Sequence, residues 1–138
     1  MTAERVERDA VNMLFAAVDG PPDKAAQPAF ERLEKALPSM QGRSFYGYFD
    51  PVNLRYVACV ERRADDDAAA LGLDEGSLPG GTYLRARLKS EPPALYGQIG
   101  PTFDRLATEA GAAVDHTRPW LEHYRRHNEA DVLVPVQK

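Results

Sequence analysis

A single cysteine, Cys59, in 138 residues excludes an internal disulfide and a thiolate zinc cluster, and it fits a reducing compartment. No window is apolar for long enough to span a bilayer, and the amino terminus carries Glu4, Arg5, Glu7, Arg8 and Asp9 where a secretory signal has a basic then an apolar segment. The expected location is therefore the cytoplasm. Positive charge is also short: 17 Lys and Arg stand against 21 Asp and Glu, a formal net charge of −4. That balance argues against sequence-independent nucleic-acid binding, which needs clustered cations, and it leaves cationic ligands electrostatically welcome. No glycine loop of the phosphate-cradling kind occurs, since Pro79-Gly80-Gly81 is turn chemistry. His116, His123 and His127 are too irregularly spaced for a metal motif, so neither metal nor cofactor is expected.

What is present reads as strand, helix, strand, strand, twice over. Val11 to Val18 is a short apolar run closed by Asp-Gly-Pro-Pro, a strand ending in a turn. Ala26, Phe30, Leu33 and Leu37 recur at helical spacing, predicting a helix from Asp23 to Leu37 in which Pro28 is tolerable only in the first turn. Arg43 to Phe49 and Leu54 to Arg62 form a hairpin around Asp50-Pro51-Val52-Asn53. Residues 63–78, with Asp65, Asp66 and Asp67, read as an exposed connector. Thr82 to Leu88 is a strand, and Glu91-Pro92-Pro93 opens a second helix with an inward stripe of Leu95, Ile99, Phe103, Leu106 and Ala110. Gly97, Gly100 and Pro101 predict a kinked or ragged first half for that helix. Two strands separated by the polar hinge Arg125 to Asn128 complete the chain.

The pattern predicts one domain of the α+β class. Duplicated strand-helix-strand-strand modules, residues 11–62 and 79–136, form a curved antiparallel sheet with two helices on one face and a ligand groove on the other.

The last hairpin carries the chemistry. The two-residue period of a strand puts Trp120, Glu122 and Tyr124 on one face, and Asp131 and Leu133 on one face of the next strand. The expectation is one aromatic wall with carboxylates set into it. An acid among rings is costly to bury unless a positive or hydrogen-bonding group meets it, and a flat hydrophobic cation does so by stacking and by charge pairing. The competing reading of Glu122 is a surface glutamate paired with Arg118 or Arg125. Tyr46 and Tyr48 alternate with Phe45, Gly47 and Phe49, and the phenols suit the partly wet groove better than the core. Cys59, in Tyr-Val-Ala-Cys-Val, reads as a small buried residue.

Phe45-Tyr46-Gly47-Tyr48-Phe49-Asp50-Pro51, Leu78-Pro79-Gly80-Gly81-Thr82-Tyr83, Glu122-His123-Tyr124 and Val132-Leu133-Val134-Pro135-Val136 together resemble, in order and spacing, the GyrI-like small-molecule-binding domain. That family includes the gyrase-inhibitory protein and the effector-binding domains of multidrug-responsive regulators. The resemblance covers the chain from Val11 onward and implies a pseudo-twofold pair of modules that accept bulky aromatic or cationic compounds. It implies that Glu122 is the acid meeting cationic ligands, with Tyr124 beside it, and it adds Tyr83 to the candidates. Asp131 stands where many members have glutamate and Leu133 where many have tyrosine, a shorter acid and a lost ring, with Glu129 as a substitute. Too little sequence precedes the first strand for a helix-turn-helix, so a stand-alone binding protein is expected.

Three functions are compatible with these residues. The first is capture of hydrophobic, planar, often cationic compounds without chemistry. A second follows from the resemblance, because a subgroup of the family hydrolyses cyclopropane-bearing natural products; there Glu122 is the general base. The third is a partner-binding protein acting on gyrase or a regulator through its surface.

Overall fold

The computed structural model describes residues 3–39 and 42–138, and they fall into two compact units, residues 10–78 and residues 1–9 with 79–138. Both are built alike, and both are antiparallel. In the first, β2 (Val11–Asp19), α1 (Pro22–Ala36), β3 (Phe45–Asp50) and β4 (Arg55–Glu61) follow in the expected strand-helix-strand-strand order. In the second the same order is made by β6 (Gly81–Lys89), α3 (Ala94–Ala110), β7 (Leu121–Arg126) and β8 (Glu129–Pro135). The α+β class and the duplicated plan are what the structure shows.

Each unit pairs its three strands in the same sequence, β3-β4-β2 and β7-β8-β6, and each adds a fourth strand that the sequence pattern does not predict. In residues 10–78 the addition is β5 (Asp74–Leu78), laid along β2 with Val11 opposite Leu78. The expected connector is thus a short helix, α2 (Ala68–Leu71), followed by a strand. Asp67 caps α2 by accepting the Ala70 N–H at 3.3 Å, and Gly72 ends it in the left-handed conformation. In the other unit the addition is β1 (Ala3–Arg8), laid along β6. Both added strands are charged and largely exposed, so their apolar pattern is weak. What makes them strands is the row of unpaired N–H and C=O groups that β2 and β6 otherwise present.

Helix α1 starts at Pro22, so Pro28 lies in the second turn rather than the first. Ala25, Ala29 and Leu33 of its inner face are buried on Leu14, Ala16, Tyr56, Ala58 and Val60, with Phe30, Phe45 and Phe49 packed around them. Gly47 is required there. A Cβ at this position meets the Oη and Cζ of Tyr56, the latter at 2.9 Å, and Phe30 Cζ at 3.4 Å. The tyrosine ring therefore lies over the glycine.

Helix α3 is a single helix of 17 residues despite Gly97, Gly100 and Pro101. Its buried Leu95, Ile99 and Leu106 pack on Leu84, Ala86 and Leu88 of β6 and on Ala130, Val132 and Val134 of β8. Among the described residues no helix is long and apolar enough to cross a membrane.

Candidate functional site

The face on which each candidate stands follows from strand pairing, because directly opposed residues point to the same side of a sheet. Glu122 lies opposite Val132 and Tyr124 opposite Ala130, and both partners belong to the core beneath α3. Trp120 and Tyr124 pack against that core too. The three residues expected to share a face therefore share it, and it is the face that carries the helix. The sequence pattern puts the ligand groove on the face without helices, whereas this acid and its rings stand under α3.

Asp131 and Leu133 do not join them. Leu133 pairs with Leu121, and Asp131 pairs with His123, on the side of the sheet away from α3. A bulge at Arg125 causes this. Beyond it Arg126 pairs with Glu129, whereas Tyr124 pairs with Ala130, a shift of one residue. With no such shift, Glu122 would oppose Leu133 and the expected continuous wall would form; a one-residue change of register turns every side chain over.

The acid is 8% exposed. Tyr124 donates its phenol O–H to Glu122 Oε1, a bond between residues two apart on one strand. Helix α3 contributes two further rings: Tyr96 meets Tyr124 edge-on with centroids 6.3 Å apart, and Phe103 packs on Trp120 at 5.6 Å. A carboxylate is thus held among four aromatic rings, one of which satisfies part of its hydrogen-bonding capacity. Phe103 belongs to the helical stripe read from the sequence. Tyr96 does not, and its visible signal is the seven-residue interval to Phe103, two helical turns along one side.

The pairing of Glu122 with Arg118 or Arg125, the competing sequence reading, is not what these arginines do. Arg125 pairs with Glu129 at 2.9 Å. Arg118 is a clamp: it reaches Asp115 Oδ2 at 2.9 Å and the carbonyls of Gly80, Thr82 and Val136 at 3.2, 3.1 and 2.8 Å. Its guanidinium stands 4.8 Å from the centre of the Tyr83 ring. This closes β6 and β8 onto the segment leading into β7, two residues before Trp120. Gly81, at φ 122, leaves the space, since a Cβ there would sit 2.6 Å from the guanidinium. Thr117 and then Arg118 hold Asp115 down to about 2. Tyr83 itself is fully buried, donates to the Pro79 carbonyl at 2.6 Å, and has its phenol pushed up by burial.

The helix-free side of this unit is ionic. Arg87 binds Asp131 through two bonds of 2.8 and 3.2 Å and also approaches Glu129 at 3.5 Å, and Arg85 pairs with Glu4. Asp131 is 1% exposed, so this pairing is what makes its burial tolerable. His123, beside it, has its pKa driven down to about 4 by burial and by Arg8, so the imidazole is neutral at pH 7.

Tyr46 and Tyr48 belong to the other unit. Opposite Cys59 and Val57, they stand on the face away from α1, while Phe45 and Phe49 pack beneath the helix. Burial raises the Tyr48 phenol and pushes the Cys59 thiol up to about 12, which keeps that cysteine inert. A polar cleft of about 370 Å³ in the same unit is lined by Pro38, Ser39, Arg43, Arg63, Asp65 to Asp67, Ala70 and Leu71. Its buried charges face each other: Arg43 and Asp66 pair through bonds of 2.7 and 2.8 Å, holding Asp66 down to about 2.

No family model matches the chain, and no curated protein matches it in sequence. Solved structures do match in fold. SAV2435, solved bound to tetraphenylphosphonium, aligns over 99% of this chain and 94% of its own with a TM-score of 0.71 at 10% identity. The C-terminal domain of EcmrR aligns over 99% and 98%, with a TM-score of 0.63 at 14% identity. A hydrolase from Listeria innocua aligns over 98% and 91%, with a TM-score of 0.62 at 14% identity. At the level of the fold these neighbours support the GyrI-like resemblance.

Proposed function

We propose that the protein is a small-molecule-binding module that captures hydrophobic, planar cations between β7 and α3. The observation that carries this is Glu122, a carboxylate 8% exposed and enclosed by Trp120, Tyr124, Tyr96 and Phe103. Such an acid gains most from a ligand whose charge is spread over rings, because aromatic faces contribute about 1–2 kcal/mol of cation–π attraction and the carboxylate adds a desolvated charge pair. Broad selectivity follows, since stacking reads flatness and the acid reads sign, and neither reads detail. Support comes from the shared fold with SAV2435, a protein solved with a large aromatic cation in place. A rhodamine-type dye titrated by fluorescence provides the test: Glu122→Gln weakens binding about tenfold or more while sparing a neutral dye of similar shape. Equal losses for both dyes refute the role of the acid.

A second reading is a hydrolase on the same scaffold, favoured by the fold shared with a Listeria innocua hydrolase. Glu122 then takes a proton from water as the water opens an electrophilic cyclopropane, with Trp120 and Tyr124 orienting the substrate. Incubation with such a compound separates the two readings: a hydrated product accumulating over many turnovers establishes the enzyme, and stoichiometric capture of unchanged compound removes it.

A further inference from the structure

The acid in this site already has a hydrogen bond from its own strand. Tyr124 and Glu122 both stand on the helix face, two residues apart, and the phenol donates to Oε1. A ligand that brings an N–H group must displace or share that bond, whereas a ligand with no donor leaves it intact and still receives the full attraction of the charge. The neighbours favour the second kind. Val132 and Ala86 flank Glu122 across the sheet, and the rings of Trp120, Tyr96 and Phe103 offer faces and edges but no acceptor oxygen beside the acid except the Tyr96 phenol, itself 55% exposed. A protonated amine entering here would bury N–H groups with few acceptors, a cost that a quaternary or fully delocalised cation does not incur.

We infer that Tyr124 is the specificity-determining residue, and that by occupying Glu122 it selects permanent cations without hydrogen-bond donors, such as quaternary ammonium and phosphonium ions, over protonated amines of the same shape. This rests on the proposed cation-binding role of Glu122 and names which cations it takes. The phenol also keeps the empty site stable, since a buried carboxylate without that donor loses a charge-assisted bond.

Calorimetric titration with (naphthylmethyl)trimethylammonium and (naphthylmethyl)ammonium tests it in the wild-type protein and in Tyr124→Phe, which keeps the ring and removes the donor. The wild type binds the trimethylated ion about tenfold more tightly, the scale of one hydrogen bond to a charged group. In Tyr124→Phe the primary ammonium gains about tenfold, because the freed oxygen accepts its N–H, and the gap closes or reverses. Differences in hydrophobicity between the two ions cancel when the variants are compared. If both ions bind with the same ranking and gap in the two proteins, the selectivity inference is overturned while cation binding stands. If neither ion binds the wild type, the cation-binding reading falls and takes the selectivity with it. Should Tyr124→Phe fail to fold, Tyr124→Met, which also lacks the donor, takes its place with the same expected and contrary results.

Discussion

Under α1 of residues 10–78, the row Ala16–Ala58–Gly47 crosses three strands, and the next row ends in Val18, Tyr56 and Phe49. Under α3 the corresponding rows are Ala86–Val132–Glu122 and Leu88–Ala130–Tyr124. The same place in the same motif thus holds glycine with a tyrosine laid over it in one unit, and an acid beside an alanine in the other. The first arrangement is a finished core, closed by the protein's own ring. In the second, the aromatic surface is supplied from β7 and α3 around a charge, and the small side chain at position 130 leaves the covering ring out. A duplicated fold therefore spends one copy on stability and leaves the other able to receive a ring from outside.

Swapping the features between units breaks the comparison most severely in the finished core. Gly47→Glu forces a carboxylate against Tyr56 and Phe30, where nothing prepares for it, and costs about 4 kcal/mol, enough to unfold a marginally stable protein. Denaturant titration measures this; a loss below about 1 kcal/mol would mean the two places are less different than their rows suggest.

The reverse exchange, Ala130→Tyr, lays a ring where unit 2 has Tyr56. It overpacks a fully buried position at about 2 kcal/mol and abolishes dye binding in protein that remains folded. Unchanged dye affinity in the folded variant would show that the ligand does not use the space beside Glu122.

The smallest effect lies in the helices. Helix α1 contains no glycine, whereas a Cβ at Gly97 or Gly100 of α3 would meet nothing within 4 Å, and both positions have ordinary helical backbone. Gly97→Ala and Gly100→Ala should each stabilise by about 1 kcal/mol, read as a rise in the denaturation midpoint. A destabilisation instead would mean that α3 needs these glycines for a conformation other than the one described.

Much of this architecture is legible in the sequence because it rests on periodicity. The two-residue alternation alone puts Trp120, Glu122 and Tyr124 together, and the helical stripe from Leu95 to Leu106 marks the inner face of α3. Alternation states which residues share a face, but not which face it is. That depends on how β7 meets β8, and the bulge at Arg125 shifts the register by one residue, sending Asp131 and Leu133 to the ionic side with Arg87 and His123. Nothing in the polar run Arg125-Arg126-His127-Asn128 distinguishes a bulged hairpin from a regular one. The added strands β1 and β5 were hidden for a related reason. Ala-Glu-Arg-Val-Glu-Arg and Asp-Glu-Gly-Ser-Leu have little apolar pattern of their own, and they pair because β6 and β2 have edges to cover. Tyr96 escaped because, more than half exposed, it lies off the buried stripe of its helix.

The central claim is that the carboxylate under α3, and not its glycine counterpart under α1, receives an aromatic cation. Backbone amide chemical-shift mapping with methyltriphenylphosphonium tests it directly. Perturbations concentrated at 120–124 of β7 and at 96–103 of α3, and lost in Glu122→Gln, are the predicted result. Perturbations centred on Phe30 and Phe45 to Phe49, or on the helix-free side around Arg87, His123 and Asp131, would contradict it.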